Sequence, residues 1–328
     1  MTTPVPGKAI SGAAFATLLL IAFMMGANHV AARIAFNNGV DVATAVVFRS
    51  TVTALVIVTL LAAQGVRVRF TPRHKRMLPL IGVLIGVQSL CLYSAVARLP
   101  VALALLAFNT YPIWTALWSW VVYKQQPEKH LLAAMPVILV GLALALDVFG
   151  AASGLGAQGQ WARIGAGVAF ALAAAGTFGL ALVITQHEAG DVDGRVRTAT
   201  TLAIAALVAL TMVAWQGGFH LPRAPAGWGG LLTLTFLYGT AFTIMFTVLP
   251  RLGVVGNSAI MNVEPVFALG LAWLILNQAI ATIQVIGALV VVGTVMVLGT
   301  RKRAAMPQGV PGPARDDDPE PGSAIRRL

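Results

Sequence analysis

Ten times along its 328 residues the chain runs, almost uncharged, for about the 20 residues an α-helix needs to cross the hydrocarbon of a bilayer. The runs fall at 10–32, 42–63, 77–97, 101–122, 131–149, 164–185, 198–216, 228–249, 256–276 and 280–299. Lipid supplies no hydrogen-bond partners, so a spanning backbone must satisfy its polar groups internally. The architecture expected is therefore an all-α integral membrane protein with ten transmembrane helices. Composition agrees: 58% of residues are hydrophobic and 10% charged, where a soluble domain carries about 25% charged residues. The first run, after Lys8, is longer than the apolar core of a signal peptide and is taken as an uncleaved span. A single cysteine, Cys91, allows no internal disulfide.

The formal net charge of +11 raises the question of a nucleic-acid partner, and the positions of the charges answer it. With the N-terminus inside, seventeen of the 22 basic residues fall on the inner side: Lys8, the cluster from Arg67 to Arg76, Lys124, Lys129, Arg195, Arg197, Arg251, Arg301, Lys302, Arg303 and the tail. Four, Arg33, Arg98, Arg163 and Arg223, fall outside, and Arg49 lies within a span. That asymmetry is the signature of topology in a membrane protein. It places the chain in the plasma (inner) membrane as a multi-pass protein with both termini cytoplasmic, and accounts for the charge without nucleic acid.

Residues 97–120 align with residues 250–273 without gaps at a constant offset of 153. Arg98 then matches Arg251, Leu99 Leu252, Val101 Val254, Asn109 Asn262, Pro112 Pro265 and Trp120 Trp273. Each half holds five apolar runs, and because five is odd the second half enters the membrane from the opposite face, an inverted repeat of the kind secondary transporters use. Pro112 and Pro265 fall near the centres of corresponding runs, and each removes a backbone hydrogen bond, freeing the carbonyls of Phe108 and Met261. Interrupted helices paired across such a repeat point to a binding site near the midplane, although a single proline is commonly only a packing kink.

The repeat unit resembles the EamA unit of the drug/metabolite transporter superfamily. The likeness rests on AFMMGANHVAARIA (22–35), VVFRS (46–50) with Arg49, LYSAVARLPVALA (92–104) and MNVEPVFALGLAWLIL (261–276), in that order and spacing. It implies ten helices in two inverted halves around a central cavity, and secondary transport of small metabolites, often outward. Where the family usually shows a Gly-Glu pair after its fourth and ninth helices, this chain has YKQQP (123–127) and LNQAI (276–280), both without the carboxylate.

Glu264 is the one acidic residue deep in a span, which makes it the first candidate to bind a proton, a cation or a substrate amine. The alternative is a structural carboxylate paired with Arg49, about eight residues into the second run. Other candidate cavity residues are Asn28 and His29 in the first run, Gln88 and Tyr93 in the third, Asn109, Tyr111 and Trp114 in the fourth, Tyr238 in the eighth, and Asn257 and Asn262 in the ninth. Asn257, Met261 and Glu264 share one helical face. His29 is suited to proton relay, but a lone histidine near a helix end is more often interfacial. Tyr111, Trp114 and Trp118 share a face, with Trp114 placed to pack; Trp161, Trp228 and Trp273 sit near run ends, as belt residues do. Small residues at fourfold spacing, Gly167, Ala171, Ala175 and Gly179, and Gly82 with Gly86, form packing seams.

Enzyme signatures are missing: HExxH, GxSxG and metal-spaced Cys/His sets are absent, and no cofactor or metal is expected. GLGAQG (154–159) matches a dinucleotide fingerprint but has no strand before it, and is expected to be a flexible linker. The organisation expected is a first repeat over 1–149, an outer linker over 150–163, a second repeat over 164–300 and a disordered cytoplasmic tail over 301–328, rich in Pro, Gly and Asp. The function expected is secondary active transport of a small metabolite by alternating access, as an exporter, with the bilayer, the solute and a coupling proton as partners. An intramembrane enzyme would need a second catalytic group beside Glu264, and a passive channel a polar stripe along several helices.

Overall fold

The computed structural model describes residues 11–66, 68–126, 129–248, 259–278 and 281–304. All regular structure among them is helical: α1 (Gly12–Asn37), α2 (Val42–Ala63), α3 (Pro72–Arg98), α4 (Val101–Phe108), α5 (Tyr111–Tyr123), α6 (Lys129–Ala145), α7 (Gly156–Glu188), α8 (Gly194–Trp215), α9 (Pro225–Thr247), a 3₁₀ turn (Ala259–Val263), α10 (Glu264–Leu276) and α11 (Thr282–Ala304). Seven stretches are long and apolar enough to cross a membrane: α1, α2, α3, α4 with α5, α7, α8 and α9. Three shorter apolar helices cover Leu132–Ala145, Ile260–Leu276 and Thr282–Val297.

Helix ends follow the polar residues between the runs. Ser11 caps α1 by accepting from the Ala14 amide at 3.2 Å, and Asp41 caps α2 by accepting from Thr44 at 2.6 Å. Thr71 and His74 form a reciprocal capping box at the start of α3, with histidine in the place usually taken by Glu or Gln. Two expectations are corrected here. GLGAQG is not a linker throughout, because α7 begins at Gly156 and carries the segment into its first turn. Residues 301–304 continue α11 and do not belong to the tail, whose remainder lies outside the described residues.

The helices pack as two sets that exchange roles. Matching α1 with α7, α2 with α8, α3 with α9, α5 with α10 and α6 with α11 turns each of the most extensive packed pairs into another of them. The α3–α7 contact becomes α9–α1, α3–α8 becomes α9–α2, and α5–α7 becomes α10–α1, while α2–α8 and α6–α11 map onto themselves. The closest crossings obey the same rule. A Cβ on Gly26 of α1 would stand 3.0 Å from the Ala268 amide nitrogen in α10; one on Gly179 of α7 would stand 2.8 Å from the Thr115 amide nitrogen in α5. Both members of the second crossing lie 153 residues from or before their counterparts in the first. Gly179, expected as part of a packing seam, is thus a point of backbone contact that no larger residue allows.

Both broken helices also end alike. Lys124 after α5 and Asn277 after α10 are left-handed, at φ 57° and 53°. The amide one residue on reaches back to a carbonyl of the last turn, Gln125 to Ser119 and Gln278 to Ala272, each at 3.2 Å. Glycine is the residue best suited to a left-handed cap, and neither position has it. Away from the packed faces, side chains such as Leu55, Leu207, Leu232 and Phe236 are exposed, forming the apolar exterior a bilayer requires.

Candidate functional site

The breaks themselves are built from local chemistry. α4 ends at Phe108, Asn109 and Thr110 form a turn, and Pro112 stands at the second position of α5, where its missing amide costs nothing. In the second half the 3₁₀ turn runs directly into α10, with Glu264 first and Pro265 second. The prolines therefore do not kink continuous helices: they open new ones. Glu264 sits at the N-terminal end of α10, where backbone N–H groups are free of intrahelical partners.

Glu264 meets His29. Their Oε1 and Nε2 atoms are 3.2 Å apart, with the His29 side chain 3% exposed and that of Glu264 23% exposed. The pairing follows from the Gly26 crossing, which brings α1 against the first turn of α10, so that a residue one turn further along α1 reaches the carboxylate. His29 is thus a buried partner within the bundle and not an interfacial residue, and the alternative of an Arg49–Glu264 ion pair is corrected.

Arg49 lies instead between two aromatic rings. Its guanidinium carbon is 4.2 Å from the centroid of Tyr93 and 4.3 Å from that of Tyr238, and the residue is 3% exposed. Tyr93 joins the two parts of the site. Its hydroxyl donates to Asn28 Oδ1 at 3.1 Å, and its ring stands edge-on to His29 with centroids 5.7 Å apart. Asn28, His29, Arg49, Tyr93, Tyr238 and Glu264 thus form one connected cluster from α1, α2, α3, α9 and α10.

The remaining candidates distribute differently. Tyr111 and Asn262 meet each other across the two breaks, the hydroxyl donating to Oδ1 at 3.4 Å, and Tyr111 also stacks edge-on against Phe178. Asn109 is buried as the C-cap of α4. Gln88 is buried and accepts from the Ser89 hydroxyl at 3.3 Å, away from the ion pair's hydrogen bonding. Trp114 packs against α7 at Gly176 and Gly179, and Trp118 donates to the Gly176 carbonyl at 3.0 Å. Asn257 lies outside the described residues. Sequence reasoning did not find Ser50 and Thr53, whose buried hydroxyls have no hydrogen-bond partner; only the position of Thr53 one turn beyond Arg49 signals its place.

Polar pairs close both ends of the bundle. At one end His220 Nδ1 approaches Asp41 at 2.7 Å. At the other, His74 Nε2 approaches Asp191 at 3.0 Å, Arg73 pairs with Glu188 at 2.8 Å, and the Tyr123 hydroxyl donates to Glu188 at 2.9 Å. The own amide of Asp191, the His74 ring and the nearby charges of His74 and Arg73 outweigh its slight burial and hold its carboxyl below the usual range. Among the described residues no group of three or more His, Cys, Asp or Glu side chains is arranged to hold a metal.

A bundle of apolar helices with two broken members facing a buried polar cluster defines a membrane transport protein of the repeat-built class. The EamA-like transporter family model matches residues 12–146 and 165–300, two copies that begin 153 residues apart (165 − 12). The chain belongs to that family. A solved crystal structure, described only as "Crystal structure of protein", shares the fold with a TM-score of 0.58 and 19% identity over 89% of this chain and 99% of its own. No curated protein matches.

Proposed function

We propose that this protein is a secondary active transporter of a small metabolite, built from ten spans in two inverted repeats and working by alternating access in the plasma (inner) membrane. Both termini face the cytoplasm, export is the direction, and a proton is the coupling ion. The observation that carries the reading is the His29–Glu264 pair, an ionisable contact made where α10 begins. A carboxylate and an imidazole 3.2 Å apart can be bridged by a proton, and rearrangement of α1 against α10 would change their separation. Tyr111 and Asn262 join the two breaks, so motion of one half is felt by the other.

The test is exchange of a labelled metabolite pool in proteoliposomes, with and without a pH gradient. Wild-type protein moves label faster when the gradient is present. Glu264→Gln keeps the shape and removes the titrating group, so the gradient response disappears while the protein stays folded. Gradient-dependent transport at the wild-type rate in a folded Glu264→Gln protein would overturn the role assigned to the pair.

A further inference from the structure

Among the described residues Arg49 is a cation held in the interior without a carboxylate partner. Among the described residues no carboxylate lies within ion-pair distance of it, and its Nε has no hydrogen-bond partner. Glu264, the acid in this part of the bundle, is engaged with His29. Two tyrosine faces offset part of the desolvation of the guanidinium, since each attracts a cation through its ring quadrupole. Among the described residues no carboxylate fills the plane of the fork, where a guanidinium binds its anions.

Two unpaired groups near it can donate a hydrogen bond. Thr53, one turn beyond Arg49 on α2, has a fully buried hydroxyl without a partner, facing α9 at Gly239, beside Tyr238. Asn28 uses its Oδ1 on Tyr93 and leaves its Nδ2 donor unpaired in the interior. Buried polar groups without partners are uncommon and costly, and here two groups able to donate and a full positive charge are collected about Tyr93 and Tyr238. Donors without acceptors beside a cation without an anion call for one small anionic acceptor.

We infer that the Arg49 cluster is an anion subsite, and that the transported solute carries a carboxylate which lies against Arg49 and accepts from Thr53 and Asn28. The inference deepens the transporter reading and rests on it. A planar carboxylate fits the guanidinium fork by two parallel bonds and leaves lone pairs for the hydroxyl and the amide. The rest of the solute extends toward α10 and the His29–Glu264 pair. A neutral amide of the same shape keeps the size but brings its own N–H donors toward groups that already donate.

The experiment is thermal unfolding of the full-length protein in detergent micelles with millimolar short monocarboxylates, including 2-amino and 2-hydroxy acids, each set against its own primary amide. At least one acid raises the midpoint by a few degrees while its amide does not. Arg49→Gln removes that shift. Because Arg49→Gln also removes the side chain stacked between Tyr93 and Tyr238, on which the fold draws, Thr53→Val is the second variant. Removing an unpaired buried hydroxyl raises the midpoint of the ligand-free protein and at least halves the shift produced by the acid. Acids and amides that act equally, acids that do nothing, or a Thr53→Val protein that binds the acid as the wild type does would each overturn the subsite. Transport of a neutral solute that still depends on Glu264 would leave the transporter reading standing and remove only the anion.

Discussion

The two broken helices share a backbone and differ in chemistry. Asn109, Pro112, the left-handed cap at Lys124 and the glycine crossing at Gly179 recur 153 residues away as Asn262, Pro265, Asn277 and, in the opposite sense, Gly26. Yet Tyr111 stands where the second half has Glu264. The same holds for the polar cluster: the counterparts of Asn28, His29, Arg49, Gln88 and Tyr93 are Ala181, Leu182, Leu202, Ala241 and Phe246. The scaffold is duplicated and the polar groups are not. One half supplies most of the polar cluster, and the other answers with Glu264 and Tyr238, so the polar groups are unevenly shared inside a frame of matched parts.

The strongest way to break that comparison is to exchange the difference. Glu264→Gln lowers gradient-driven transport by about tenfold or more, as a coupling residue should, whereas Tyr111→Phe at the matching position changes it by less than about threefold, because it removes one long hydrogen bond. Equal losses in proteoliposome assays would mean that the two breaks contribute alike.

The crossings should respond together. Gly26→Ala and Gly179→Ala each push a methyl group against backbone atoms at 3.0 and 2.8 Å, and each is expected to destabilise by about 1–3 kcal/mol, read as a lower unfolding midpoint in micelles. Gly26→Ala also displaces the first turn of α10 and so reduces transport beyond what its stability loss accounts for. A harmless Gly26→Ala would show that the two crossings are not equivalent.

The caps sharpen the comparison from the other side. Lys124→Gly relieves a left-handed lysine and is expected to stabilise by roughly 1 kcal/mol, whereas Asn277→Gly gains less because asparagine tolerates that conformation. The smallest effect concerns one end of the bundle. Asp191 has a depressed carboxyl pKa in the folded state, so its contribution is present above the ordinary carboxylate range and is lost as pH falls through the lower folded value. The midpoint difference between wild type and Asp191→Asn is therefore measurable at neutral pH and vanishes in acid.

Much of the frame was legible from the residues. The constant offset marked the duplication because Asn109, Pro112 and Trp120 are too distinctive to recur in order within apolar sequence by accident, and the prolines marked the breaks. What periodicity does not carry is partnership. His29 and Glu264 lie 235 residues apart (264 − 29), and their meeting depends on Gly26, a residue whose meaning appears only when another backbone lies against it. Arg49 suggested a carboxylate partner because salt bridges are the commonest answer to a buried charge; two aromatic faces from α3 and α9 answered instead. Trp114 lies against Gly176 and Gly179, where a large ring fills space that glycine leaves.

The interrupted helices have a mechanical consequence. A continuous helix is a rod, and a displacement applied at one end arrives at the other with its size and direction kept. In α4 with α5, and in the 3₁₀ turn with α10, the ladder of backbone hydrogen bonds changes character at mid-depth, so the rod becomes two short levers joined by a soft link. In the alternating access proposed above, that link is what lets one end of the bundle swing while the far end keeps its seal.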